Sequence, residues 1–419
     1  MTTTHPRPTG PADPHRWPDV ARVPSGALRT AVARLLADRA LPAAGVHRHE
    51  GPQPPPAALI RDGAPVLWLR DPDAFHARLA HDGLIGFGES YMAGEWDSPD
   101  PVTVLTRLAE RYEDLVPRPL QPLRHLTLPR RPASDRNTRD GARRHISHHY
   151  DLSNELFALF LDRTMTYSSA LFSDDDPRDS EGLARAQERK TDRLLDAAGV
   201  TDGTSLLEIG TGWGELAVRA ARRGARVTSL TLSTEQRDHA RARVAALGLS
   251  DRVSVELCDY RDATGSHDAV VSCEMVEAVG ARYWPAYFRA LDRLVRPGGR
   301  VALQTITMEH RLMRASRGSY TWMHKYVFPG GLIPSVTAIR ERIADGTGLR
   351  ITDRLAFGHD YADTLRVWRE NFTAAAEEVR ALGFDDTFRR MWSFYLAYCE
   401  AGFRSGIIDV EQITMERAR

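Results

Sequence analysis

Between residues 205 and 305, short apolar runs alternate with segments whose apolar positions recur at helical spacing. The pattern predicts strands at Ser205–Ile209, Val227–Thr231, Val253–Leu257, Ala269–Cys273 and Gly299–Thr305. Helices are expected over 215–223, Ser233–Ala246 and Trp284–Leu294. The strands are apolar throughout rather than alternating, as in a parallel sheet covered on both faces, which binds ligands at the carboxyl ends of its strands. Upstream, Ala184–Ala198 and Leu28–Leu41 read as amphipathic helices. Short strands are expected at Val66–Leu69 and over 84–87, with a helix at Pro72–His81 between them. The glycine- and aromatic-rich stretch Gly86–Trp96 reads as a tight turn packed by Tyr91 and Trp96, and Met391–Gly406 as an aromatic helix stopped by its last glycine. The fold class expected is α/β: a Rossmann-like domain with a mostly parallel sheet and helices on both faces, preceded by a smaller α+β domain.

Composition sets the boundaries. A chain of 419 residues is long for one domain. Residues 1–22, rich in proline and threonine, read as disordered; 23–120 as the N-terminal domain; 121–143 as a Pro/Arg-rich linker; and 144–419 as the second domain. The linker arginines fit either a solvated face or a membrane-surface contact. Lys+Arg and Asp+Glu are both 56, so bulk charge gives nucleic-acid binding no support. Lysine occurs only at Lys190 and Lys325, and the three cysteines, Cys258, Cys273 and Cys399, form neither a disulfide framework nor a zinc spacing. His148 and His149 are adjacent, face different sides of a helix and make no metal pair, so no metal is expected. No apolar run reaches membrane-spanning length and no secretory signal is evident, so a cytoplasmic protein is expected.

The sharpest local signal is Leu206-Leu-Glu208-Ile-Gly210-Thr-Gly212-Trp213-Gly214. A strand breaks into three glycines at alternate positions and restarts as a helix. The spacing differs from the dinucleotide fingerprint G-x-G-x-x-G. With Glu208 ahead of it, it fits the S-adenosylmethionine (SAM) loop of Rossmann-like methyltransferases.

Nine motifs in order make the resemblance specific. They are His149-Tyr-Asp-Leu-Ser-Asn, Met165-Thr-Tyr-Ser, the Glu208 loop, Thr231-Leu-Ser-Thr-Glu-Gln236, Asp259-Tyr-Arg-Asp, Glu274-Met-Val-Glu-Ala-Val-Gly280, Phe328-Pro-Gly-Gly, Arg366-Val-Trp-Arg-Glu-Asn-Phe and Tyr398-Cys-Glu-Ala-Gly-Phe-Arg. Together, residues 83–415 resemble the cyclopropane-fatty-acyl-phospholipid synthase and mycolic-acid methyltransferase family. Gly88-Glu-Ser-Tyr-Met-Ala-Gly-Glu-Trp96 resembles the lipid-binding domain of its full-length synthases. Arg16-Trp-Pro-Asp-Val-Ala-Arg-Val-Pro and the pair Ser168-Ser169 resemble an actinobacterial branch that adds a methylene group to oleoyl chains en route to tuberculostearic acid.

The resemblance implies SAM held by Glu208, Gly210, Gly212, Trp213 and Gly214, with Tyr167 and Ser168 closing over it. Thr231, Leu232 and Gln236 would lie at the ribose, and Tyr260 and Arg261 at the adenine. Attack of a cis alkene on the methyl group leaves a carbocation, which needs a dry, aromatic pocket; Tyr167, Trp213, Tyr361 and Phe328 are candidate walls, with core packing the alternative for each. In the family, bicarbonate serves as base, and the matching positions here are Ser169, Glu277, Gln304, Tyr361 and Ile306. Ser169 stands where Cys is usual and Gln304 where His is found. These departures favour delayed deprotonation and a 10-methylene product, with cyclopropane the alternative. Cys399 matches a family cysteine treated as catalytic, and a buried structural thiol is the other reading. A small-molecule methyltransferase and a non-catalytic lipid-binding protein are further alternatives. Implied partners are a phospholipid with an unsaturated acyl chain, peripheral contact with the inner membrane face, and a separate flavin- or NAD(P)H-dependent reductase; a homodimer is the assembly to test.

Overall fold

A computed structural model describes residues 10–61, 63–112 and 153–419. The linker at 121–143 and residues 148–151 lie outside them. The chain forms two compact units. One comprises the residues up to Arg131 together with Gly318–Val327 and Phe372–Ile407; the other comprises Pro132–Arg317, Phe328–Asn371 and Ile408–Arg419. Two late segments, including the aromatic helix, thus complete the first unit.

In the first unit β1 (His47–Glu50) pairs parallel with β2 (Val66–Leu69), and β2 pairs antiparallel with β3 (Trp96–Asp97). Helices Ala27–Ala43, Pro72–Asp82, Leu84–Met92, Pro101–Glu110 and Asp386–Arg404 belong to the same unit. Two expectations are corrected here. Residues 84–87 begin a helix rather than a strand, because their glycines serve close packing: a Cβ on Gly86 would lie 2.1 Å from the Arg78 carbonyl oxygen. Residues 10–22, expected to be disordered, include helix Pro18–Ala21. It is held because the buried Arg78 guanidinium donates to the carbonyls of Asp19, Val20 and Arg22 and pairs with Glu95 at 2.8 Å.

The second unit holds a seven-stranded sheet in the order β6-β5-β4-β7-β8-β10-β9. The strands are β4 (Ser205–Ile209), β5 (Arg226–Thr231), β6 (Val253–Leu257), β7 (His267–Cys273), β8 (Val295–Met308), β9 (Leu349–Ala356) and β10 (Ile408–Arg417). The first five run parallel, and β10 lies antiparallel between β8 and β9. Alternate side chains enter two separate cores. Leu207, Val270 and Leu303 join Phe288 and Ile339 in one; Leu206, Val271 and Ala302 join Leu195 and Val218 in the other. Burial on both faces explains the continuous apolar runs. From β4 the chain proceeds outward through β5 and β6, then returns to β7 on the opposite side. This is the strand-order reversal at which open α/β sheets bind ligands.

No helix among the described residues is long and apolar enough to cross a membrane.

Buried arginines hold the first unit together. Arg390 donates to the carbonyls of Tyr91 (2.6 Å) and Trp96 (3.0 Å), approaches Asp97 at 3.3 Å and lies 4.1 Å from the Tyr91 ring centre. Arg390→Ala should cost about 3 kcal/mol or more, because the carbonyls lose a buried donor. Urea melts read the effect, and a loss below about 1 kcal/mol would contradict this role.

Candidate active site

Side chains from the carboxyl ends of the parallel strands build the site. After β4, Gly210, Gly212 and Gly214 all have positive φ, at 101°, 51° and 89°. A Cβ on Gly210 would strike Met275 at 2.6 Å, whereas nothing lies within 4 Å of the corresponding point on Gly212. The loop therefore presents open backbone at Gly212, which is the cradle a nucleoside-linked ligand requires. The Ser229 hydroxyl donates to Glu208 at 2.5 Å and shares a 2.7 Å hydrogen bond with Thr211, so Glu208 anchors the loop from beneath.

Other expected cofactor residues satisfy one another along the same edge. Thr231 donates to Gln236 Oε1 at 3.1 Å, and Leu232 is half-buried between them in sequence. The Arg261 guanidinium grips Asp259 at 2.5 and 2.8 Å and lies 5.7 Å from the ring centres of both Tyr260 and Tyr283. Ser168 is buried, accepting from Lys190 Nζ at 2.6 Å and from the Cys273 thiol at 3.4 Å.

An aromatic path runs from the glycine loop to the carboxylates. Trp213 donates to Asn154 at 2.8 Å and packs on Phe157, with ring centres 4.9 Å apart. Phe157 meets Tyr167 edge-on, Tyr167 stacks on Trp368 at 5.2 Å, and Trp368 meets Tyr361 edge-on. Three of the four expected walls are thus linked through Phe157 and Trp368, which sequence reasoning did not single out. Phe328 lies on the segment tied to the Glu277 carbonyl by the Leu332 amide, at 2.8 Å.

Glu274, not Glu277, gathers the expected catalytic residues. Its carboxyl group accepts from the Ser169 amide at 3.0 Å, Gln304 Nε2 at 2.9 Å and the Tyr361 hydroxyl at 2.7 Å. Gln412 orients Gln304 by donating to its carbonyl oxygen at 3.1 Å. The Ser169 hydroxyl turns away, donating to the Ala170 carbonyl. Glu277 accepts from the Thr305 hydroxyl at 2.9 Å and from the Ile306 amide, all through one oxygen; its other oxygen is buried without a hydrogen-bond partner. Burial and the neighbouring Glu274 push Glu277 up to about 8, and burial raises Glu274 as well. The two glutamates are not a solvated acidic pair. The sequence signal for Glu274 was its position directly after β7.

Cys399 belongs to helix Asp386–Arg404 of the first unit, and burial pushes its thiol up to about 12. A neutral thiol is no nucleophile, which favours the structural reading. No group of three or more metal-ligating side chains occurs among the described residues.

The family described as mycolic acid cyclopropane synthetase matches residues 137–413. The chain belongs to this family. It is 53% identical to the tuberculostearic acid methyltransferase UfaA1 of Mycobacterium tuberculosis, over 98% of this chain and 97% of that one. It is 33% identical to the cyclopropane-fatty-acyl-phospholipid synthase of Escherichia coli, over 85% and 90%. Among solved structures it resembles the mycolic acid cyclopropane synthase CmaA1 complexed with SAH and CTAB, with a TM-score of 0.60, 32% identity, and coverage of 66% of this chain and 98% of that one. The expected family, α/β class and methyltransferase fold all hold.

Burial pushes Glu208 up to about 8, against the hydrogen bond from Ser229. A raised folded-state value means that the native protein holds an extra proton between about pH 4.3 and that value, so stability falls as pH rises through this window. Glu208→Gln removes that contribution, which grows by ~1.4 kcal/mol for each pH unit that separates the folded and unfolded values. Thermal melts at about pH 5 and about pH 8 should show a smaller loss in the variant than in the parent. An equal loss would contradict the assignment.

Proposed function

We propose that this enzyme methylates the cis double bond of oleoyl-type chains in phospholipids and releases a 10-methylene acyl product. The observation that carries the reading is the likeness to the tuberculostearic acid methyltransferase, which extends over nearly the whole chain and so includes the first unit. SAM fits the site because Gly212 leaves open backbone at the carboxyl ends of β4 and β7. When bound, it supplies an electrophilic methyl group.

Gly210, Gly212, Trp213 and Gly214 form the cradle; Thr231, Leu232 and Gln236 line the ribose side, and Tyr260 and Arg261 the adenine side. Tyr167 stands in the aromatic path, while Ser168 fixes the backbone behind it. The rings of Trp213, Tyr167, Trp368 and Tyr361 keep water out and face cationic charge with π density. The first unit handles the lipid at the inner membrane face, a homodimer is the assembly, and a separate flavin- or NAD(P)H-dependent reductase converts the methylene to a methyl branch.

Bicarbonate does not fit as the base here. The Ser169 amide, Gln304 and Tyr361 already donate to Glu274, and the Ile306 amide donates to Glu277. A further anion would join two buried carboxyl groups, and like charges in one buried site are strongly disfavoured.

Incubating the purified protein with dioleoyl phosphatidylglycerol vesicles and methyl-labelled SAM should give a methylene-branched acyl chain, identified by mass spectrometry after mild hydrogenation. A cyclopropane ring as the sole product would refute the reading in favour of the synthase alternative. Ser169→Cys combined with Gln304→His should shift part of the product to cyclopropane; an unchanged product would show that these positions do not set the outcome.

A further inference from the structure

We propose that Glu274 is a resident base: its carboxylate stands at the donor set in place of an external anion and takes the proton that ends the reaction. The inference rests on the proposed carbocation chemistry and adds the group that completes it.

Three donors from three different elements converge on this one side chain. They are the Ser169 amide from the segment before helix Ser180–Ala197, Gln304 from β8 and the Tyr361 hydroxyl from helix Gly358–Ala374. Donors aimed at a carboxyl group favour its ionised form. Glu277 is poorer in partners, with one buried oxygen unpaired. Two adjacent buried carboxyl groups do not both ionise, so the pair retains one proton. Glu274, with three donors against two for Glu277, then bears the charge and Glu277 bears the proton. Lys190, buried behind Ser168, supplies the balancing positive charge.

The backbone points the same way. Glu274 is one of two described non-glycine residues with positive φ, at 51°. A left-handed conformation is strained for a non-glycine residue, and such strain persists where the surroundings over-determine it. Here it turns the chain immediately after β7, so that the carboxyl group meets all three donors.

The proton step balances without any other reagent. The hydrogen on the methylated carbon first shifts, with its electron pair, to the neighbouring cationic carbon, which places the cation on the carbon bearing the new methyl group; a C–H bond of that methyl group then breaks. Its electron pair becomes the π bond of the exocyclic methylene and quenches the adjacent cation. The proton forms an O–H bond on Glu274, leaving a neutral acid that returns its proton to solvent after product release.

The test measures SAH release from full-length protein on dioleoyl phosphatidylglycerol vesicles, in carbon-dioxide-depleted buffer and again with added bicarbonate or formate. The parent should run at the same rate in all three. Glu274→Gly, which suits the positive φ and leaves the donors free, should lose about 100-fold or more in depleted buffer and regain about tenfold or more with either anion. Glu274→Gln, which fills the site with an amide, should lose as much and regain nothing, while keeping its melting temperature and its affinity for SAH. A parent that needs bicarbonate would overturn the proposal, as would a Glu274→Gly variant that is active without an added anion or one that no anion rescues. SAH release is scored independently of product structure, so a cyclopropane product would defeat the proposed function while leaving this comparison readable.

Discussion

A carboxyl group taken out of water is tolerated only where donors replace the hydration it loses, and that requirement organises the second unit. Glu274 draws its donors from the end of one loop, from β8 and from helix Gly358–Ala374. β10 contributes through Gln412, which fixes the Gln304 amide so that its nitrogen faces the carboxylate. Four separate parts of the chain are therefore held in register by one ionisable side chain. Moving any of them leaves a buried polar group unsatisfied, at about 1–3 kcal/mol each. The glycine loop depends on a similar device at the next strand, where Glu208 anchors Thr211 through Ser229.

The two devices do different work. The loop leaves backbone open at Gly212, so its contribution is space and amide groups for the methyl donor. The carboxylate pair leaves little free capacity, so its contribution is charge already in place. Between them runs the aromatic path through Trp213, Phe157, Tyr167, Trp368 and Tyr361, and in the proposed reaction such rings supply the π density that a cation requires. In the proposed reaction, a carbocation formed within the acyl chain along that path would have a base at one end.

Much of this was legible in the sequence because the governing physics is local. Apolar runs of the right length marked β4 to β7 and helix Trp284–Leu294, with several boundaries matching residue for residue. The glycine spacing marked the loop because side chains with a Cβ rarely adopt its backbone angles. Where tertiary packing decided, the pattern misled or was silent. Residues 84–87 read as a strand because glycine lowers helix propensity; in the fold, Gly86 lets two helices approach more closely than any side chain would allow. β9 and β10 escaped notice because their polar positions are exposed or paired by long-range partners, such as Arg354 with Glu411. Glu274 and Glu277 lie three residues apart, and spacing alone could not show that one meets three donors and the other two. Two of those three donors, the Ser169 amide and the Tyr361 hydroxyl, lie more than 80 residues away in sequence.

The central claim is that a side chain occupies the place an external anion would take, and crystallography tests it most directly. Crystals of the parent and of Glu274→Gly, each grown with SAH and soaked in bicarbonate, should differ at one point. The variant should show a carbonate-shaped density bonded to the Ser169 amide, Gln304 Nε2 and the Tyr361 hydroxyl, and the parent should show the Glu274 carboxylate there. Bicarbonate bound to those donors in the parent, with Glu274 swung away, would contradict the account.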